Sequence, residues 1–147
     1  MSRILSLDYG ERRIGVALSD PSRTIATPFT TLHRRAGKRP PWPEIQKLIA
    51  DNDVGEAVIG LPLALSGDES EWTAEVRAFG ADLARRTGLE VHWMDERMTS
   101  VAAERSIRAM GLKRAQRESK ERIDAAAAAL ILESYLTLRR NQTLNQP

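Results

Sequence analysis

The sequence predicts an α/β domain in which helices cover one mixed, five-stranded sheet. Two observations carry this. Three strand-like segments follow one another at the start of the 147-residue chain, separated only by tight turns. From residue 43 onward, segments with helical spacing alternate with short apolar runs of strand length. Tight turns imply antiparallel pairing, because a parallel return needs a crossover of about a dozen residues. Alternating helices and strands add to the same sheet through such crossovers.

Taken in order, RILSLD (3–8) is the first strand, Gly10 with Glu11 and Arg12 makes a turn, and RIGVALS (13–19) is the second strand. Asp20-Pro21-Ser22 turns the chain into a third strand, TIATPFTTL (24–32). Pro28 has no N–H for a ladder and pushes that strand to an edge or a kink. After HRRAGKRPPWP, residues 43–52 put Ile45, Leu48 and Ile49 on one helical face, with Pro43 at the first turn. EAVIGLPL is a buried strand and ALSGDES a loop. Residues 70–87 form an amphipathic helix bearing Trp72, Val76, Phe79 and Leu83, capped by Ser70 with Glu71 in its first turn and ended by Gly88. LEVHWMD is the fifth strand. Thr99 or Ser100 starts a further helix, VAAERSIRAM, which Gly111 stops, and a basic stretch leads to a long final helix over about 121–140. The order is βββ-α-β-α-β-α-α, read as one domain over residues 1–140 followed by a polar tail at 141–147.

Composition excludes some functions. The chain has no cysteine, so disulfides, thiolate metal sites and a cysteine nucleophile are ruled out. No apolar run reaches the roughly 20 residues of a membrane span. A single early Arg3 without a small-residue cleavage site argues against a signal peptide, so a cytoplasmic protein is expected. Net charge is only +2, yet the basic residues cluster. Residues 33–39 carry Arg34, Arg35, Lys38 and Arg39 with no acid. Residues 113–122 carry Lys113, Arg114, Arg117, Lys120 and Arg122 against Glu118 and Glu121. Each alone reads as solvated loop charge; together they keep a phosphate backbone in view as partner. Trp42, Trp72 and Trp93 read as packing residues rather than base stackers. His33 and His92 are too far apart in sequence to suggest a metal pair, and His92 is read as a strand residue facing a helix.

Most acids sit on helix surfaces or in loops. Three places differ. Asp8 ends a strand too apolar to be an exposed edge, although alone it reads as a turn former before Tyr9-Gly10. Asp95 and Glu96 end the fifth strand before Arg97, and strand neighbours point to opposite faces, so at most one of them shares a side with Asp8. Asp124 heads a stripe of Ala127, Ala128, Ile131 and Tyr135 on the last helix. A first-turn acid there would help the helix dipole by about 0.3–1 kcal/mol. The run Ala125 to Ala129, however, lets that turn approach the sheet closely. Converging carboxylates repel one another, and a divalent cation relieves the repulsion. Oxygen-only ligands favour Mg²⁺ or Mn²⁺ over Zn²⁺. Two such ions about 4 Å apart can activate water and stabilise the leaving oxygen in phosphodiester cleavage. The spacing therefore points to metal-dependent nuclease chemistry.

At these residues the sequence resembles the YqgF (RuvX) family. ILSLDYGERRIGVALSD, VIGLPLALSGDES, DERMTSVAAER and IDAAAAALILESYL resemble its successive blocks, in order, from about residue 3 to 138. The resemblance implies a ribonuclease H-like mixed five-stranded sheet and activity as a pre-16S rRNA nuclease or Holliday-junction resolvase. It implies Asp8, Glu96 (or Asp95) and Asp124 as catalytic, metal-holding acids. It also aligns Arg13, Gly15 and Asp20 with the first block, Gly60, Leu61 and Pro62 with the second, and Arg97 and Thr99 with the third. Arg12, Arg13, Arg97, Thr99, Lys113, Arg114, Arg117 and Lys120 are the expected contacts to substrate, and a monomer or homodimer is the expected assembly. Two departures stand out: Ala64 replaces a frequent Asn, and Thr99-Ser100 replaces a pair of threonines. Two other readings compete. The first hairpin also looks like the phosphate-binding hairpin of actin-like ATPases, which need a second lobe. A non-catalytic RNA-binding module would depend on Arg114 and Arg117 but not on Asp8.

Overall fold

The computed structural model describes residues 2–34, 39–99, 101 and 117–144, with side chains described up to residue 101 and from 123 to 142. Its elements are β1 (Arg3–Tyr9), β2 (Arg13–Ser19), β3 (Ala26–His33), α1 (Trp42–Asp51), β4 (Val54–Leu61), α2 (Glu71–Thr87), β5 (Glu90–Asp95), a short 3-10 turn (Glu96–Met98) and α3 (Arg117–Leu144). The five strands form one sheet in the order β3-β2-β1-β4-β5. β1 pairs antiparallel with β2 and parallel with β4, which places it at the centre. The predicted class, a mixed five-stranded α/β sheet with three antiparallel strands first, is therefore met. The helix expected over 101–110 and the basic run beginning at Lys113 and Arg114 lie outside the described residues, apart from Val101.

Local chemistry explains the boundaries. Pro28 sits on the edge strand β3, opposite Ala17, where the ladder slips between Val16 and Ala17. Ser70 caps α2 by accepting the Thr73 N–H at 3.2 Å, while the Thr73 hydroxyl takes the Ser70 N–H at 3.1 Å. The same hydroxyl donates to the Pro62 carbonyl at 2.6 Å and so ties the helix start to the end of β4. Gly88 ends α2 in the left-handed region, at φ 74°. Asp20 closes the β2–β3 turn by accepting the N–H groups of Ile25 and Thr24 and the Ser22 hydroxyl. Those donors hold its carboxyl down to about 2, so Asp20 is a turn residue.

The sheet buries both faces. Odd positions of β1 and even positions of β2, with Leu5, Leu7, Tyr9, Ile14 and Val16, pack on α1 and α2 through Trp42, Ile45, Val76, Phe79 and Leu83. The opposite face, with Ile4, Ala17, Val58 and Met94, packs on α3 through Ala127, Ala128, Ile131, Leu132 and Tyr135. The small residues let α3 lie close, and the buried Ser6 hydroxyl donates to the Ala128 carbonyl at 2.8 Å. The predicted stripe on this helix thus faces the sheet. α3 begins at Arg117, earlier than the expected 121, so Asp124 is not in its first turn. That removes the helix-dipole explanation for the residue.

Farther down α3, Tyr135 and Arg139 reach Glu56 of β4, at 2.9 and 2.8 Å. Arg23 and His92 complete the set around this 7% exposed carboxylate. His92 is on β5 facing α3, as the sequence suggested, with its ring 5.6 Å from that of Tyr135.

Candidate active site

Asp8 is buried on the α3 face at the end of the central strand, directly opposite Gly15 of β2. Gly15 is where α3 touches the sheet: a Cβ there would run into the carbonyl oxygen of Asp124. One missing side chain thus brings the helix carrying Asp124 against the strand pair carrying Asp8. Gly15→Ala is expected to cost roughly 3 kcal/mol, the upper end for overpacking, because the obstacle is backbone and cannot rotate away. Denaturant unfolding measures that loss. Gly60→Ala should be milder, since its Cβ would meet the tips of Ile131 and Glu96, at 2.6 and 3.0 Å.

Gly60 also locates Glu96. Leu7 pairs with Ile59 across β1 and β4, so Asp8 and Gly60 are the next neighbours along these strands. The Glu96 carboxylate lies over Gly60, one strand from Asp8. Asp95 is directed elsewhere. It accepts from the Arg97 backbone N–H at 2.9 Å and from the Arg97 guanidinium at 2.6 to 3.1 Å. The Arg97 guanidinium holds the Asp95 carboxyl below its ordinary value.

Asp8, Tyr9, Gly10, Glu11, Arg13, Trp72 and Asp124 line a cleft of about 310 Å³ at this end of the sheet. Arg13 Nε donates to Asp124 Oδ2 at 2.5 Å. Arg12 is exposed on the adjoining turn. Arg34 lies over the Tyr9 ring, 4.8 Å from its centroid, and donates to the Tyr9 hydroxyl. Arg97 and Thr99 are both engaged with the protein's own loops. Arg97 Nη1 donates to the Leu65 carbonyl at 3.2 Å, and the Thr99 hydroxyl donates to the Glu96 carbonyl at 2.8 Å. Lys113 and Arg114 lie outside the described residues; Arg117 and Lys120 belong to α3, and their side chains are not among those described. A larger cavity, about 560 Å³, lies between the β2–β3 turn, Met94, Met98 and the C-terminal half of α3, away from Asp8.

The donor chemistry of the acids fits Mg²⁺ or Mn²⁺: Asp8, Glu96 and Asp124 offer only hard oxygen atoms, from three elements meeting at one sheet end. Their side chains are not drawn into a closed cage. No three acid or histidine groups among the described residues stand close enough to grip one ion, and Arg13 takes a share of Asp124. Reading the sequence missed two features here. One is Trp72 in the cleft wall, which its place on an apolar helix face disguised. The other is the Arg13–Asp124 pair, which needs tertiary contact to be seen.

Comparison with known proteins agrees with this architecture. The RuvX family model, described as Holliday junction resolvase, matches residues 2–138. A protein of Maridesulfovibrio salexigens named "Putative pre-16S rRNA nuclease" is 40% identical over 91% of this chain and 97% of its own length. A relative of the same name from Chloroflexus aggregans is 44% identical over 94% of this chain and 95% of its own. Among solved structures, T. thermophilus RuvC in complex with Holliday junction substrate aligns over 95% of this chain and 96% of its own, with a TM-score of 0.56 and 18% identity. At that identity the likeness speaks for the fold alone, which is ribonuclease H-like. By the family match and by two relatives that it spans almost end to end, this chain belongs to the RuvX family.

Proposed function

We propose that this protein is a metal-dependent endonuclease that hydrolyses phosphodiester bonds in structured nucleic acid, with precursor 16S ribosomal RNA as its substrate. The observation that carries the reading is the packing of Asp124 onto Gly15, which sets it beside Asp8 in one cleft. The names of the relatives support the RNA substrate, and cleavage of a ribosomal precursor places the work in the cytoplasm.

In this reading Asp8, Glu96 and Asp124 hold Mg²⁺ or Mn²⁺, which when bound supplies positive charge to activate water and to stabilise the leaving oxygen. The protein's own groups do the rest. Asp8 is fixed by ladders on both sides of β1. Arg13 orients the Asp124 carboxylate. Arg12, exposed on the turn beside the cleft, offers positive charge to an entering phosphate backbone. Arg97 braces the loop at Leu65 against the Asp95–Glu96 corner.

The two adjacent acids separate by experiment. Glu96→Gln should lower Mn²⁺-dependent cleavage of a precursor-rRNA fragment by more than about 100-fold, the order set by losing a group aimed at the reacting charge. Asp95→Asn should cost less than about tenfold, because that side chain braces Arg97. Initial rates on the fragment and on a four-way DNA junction, measured side by side, test both the assignment and the choice of RNA. Equal rates for Glu96→Gln and wild type would remove Glu96 from the site.

A further inference from the structure

The chain has few aromatic residues, 5% of the total, yet four of them form one continuous stack. Trp42 lies on Phe79 with centroids 5.3 Å apart, Phe79 on Tyr9 at 4.1 Å, and Tyr9 on Trp72 at 5.6 Å, the successive planes within 17° of parallel. The first three rings are buried, at 4%, 3% and 9% exposure. The fourth, Trp72, is only partly buried and stands in the wall of the cleft that holds Asp8 and Asp124. Part of Trp72 packs on the core. The part left accessible faces the cleft, where it suits nucleic acid, because every base has a π-face and stacking on an aromatic ring is indifferent to sequence.

We propose that Trp72 is a base platform, so that the nucleotide beside the cleaved phosphate is unpaired and stacked on the indole when the bond is cut. The inference rests on the nuclease reading above and names its substrate geometry. The platform is ordered before substrate arrives. Tyr9 backs the indole at an interplanar angle of 10°, and Arg34 pins Tyr9 through its hydroxyl. Trp72 is the second residue of α2, just behind the Ser70–Thr73 cap and the Thr73 anchor on Pro62. Tyr9 follows Asp8 directly on β1, so the stack and the acid are set by one strand. Acids line the cleft from the α3 face and the indole lines it from the α2 face. A cleft of about 310 Å³ is at the small end of ligand pockets, a size that suits one nucleotide.

Two measurements test this on the full-length protein. In EDTA, where nothing is cut, an unpaired oligoribonucleotide should quench the tryptophan emission of the wild type. Trp72→Leu should lose that quenching and bind about 10- to 100-fold more weakly, while Trp72→Phe, which keeps a π-face, retains most of the affinity. With Mn²⁺, an abasic nucleotide walked along the same strand should slow cleavage sharply when it borders the cut bond. That sensitivity should vanish in Trp72→Leu. Matched melting temperatures for the variants separate stacking from folding. If Trp72→Leu binds and cleaves as the wild type does, or if Trp72→Phe is as impaired as Trp72→Leu, the platform is overturned. If the wild type cuts nothing but Trp72-dependent quenching is present, the platform stands and the nuclease reading falls.

Discussion

Asp8→Asn is expected to reduce cleavage of a precursor-rRNA fragment by about 10³-fold or more while the protein stays folded. Charge stabilisation of a transferring phosphate by bound metal amounts to several kcal/mol, and each 1.36 kcal/mol is tenfold in rate. Asp8 is the acid most firmly placed to supply it, buried in the middle of a five-stranded sheet with β2 on one side and β4 on the other. Asparagine has the same shape, and the ladders that hold β1 are main-chain bonds, so the far-UV circular dichroism and melting temperature should change little. Initial rates in Mn²⁺ check the first half of the statement and thermal melting the second.

Glu56→Ala should do the reverse, unsettling the fold and sparing the chemistry at room temperature. Glu56 accepts from Tyr135, Arg139 and Arg23 and lies beside His92, so its loss removes the shared partner of four polar side chains from α3, β5 and the β2–β3 turn. Breaking a buried ion pair costs about 3–5 kcal/mol. The Arg23 and Arg139 side chains are 29% and 41% exposed and regain water, so the low end, about 3 kcal/mol, is expected. For a chain of this length that is a drop in melting temperature of roughly 10 °C. Burial raises the Glu56 carboxyl, but the Tyr135 hydroxyl and the two guanidinium groups outweigh it, and the net shift is downward. A carboxyl held below its unfolded value stabilises the protein above that value and ceases to do so as pH falls through the folded one. The stability gap between wild type and Glu56→Ala should therefore be full at neutral pH and close in acid, below about pH 4. Glu56 lies four residues before Gly60 on β4, roughly 13 Å along the strand, which is why activity at 25 °C should persist.

Much of this architecture was legible because it is written in local patterns. The apolar body of RILSLD, the Ser70 cap, the Gly88 stop and the position of Pro28 each act within a few residues of themselves. The stripe of Ala127, Ala128, Ile131 and Tyr135 announced which side of the last helix meets the sheet. What periodicity could not supply was contact between elements. Gly15 is silent in sequence; its purpose is to let the Asp124 turn lie on β2, more than a hundred residues away. Glu56 opens an apolar strand without comment until Tyr135 and Arg139 arrive from α3. Trp72 was read as packing because half of it is packing, and only the cleft reveals its other edge. Strand alternation allows only one of Asp95 and Glu96 on the side of Asp8, and which one it is depends on the register of β5 against β4, a pairing between elements.

In the proposed mechanism Asp8, Glu96 and Asp124 act as one site. Single-turnover cleavage of the precursor fragment by Asp8→Asn, Glu96→Gln and the double variant tests it most directly. Groups that work as a unit are not additive when removed, so the double variant should be no slower than the slower single one. Losses that multiply in the double variant, or a single variant that cleaves at the wild-type rate, would contradict it.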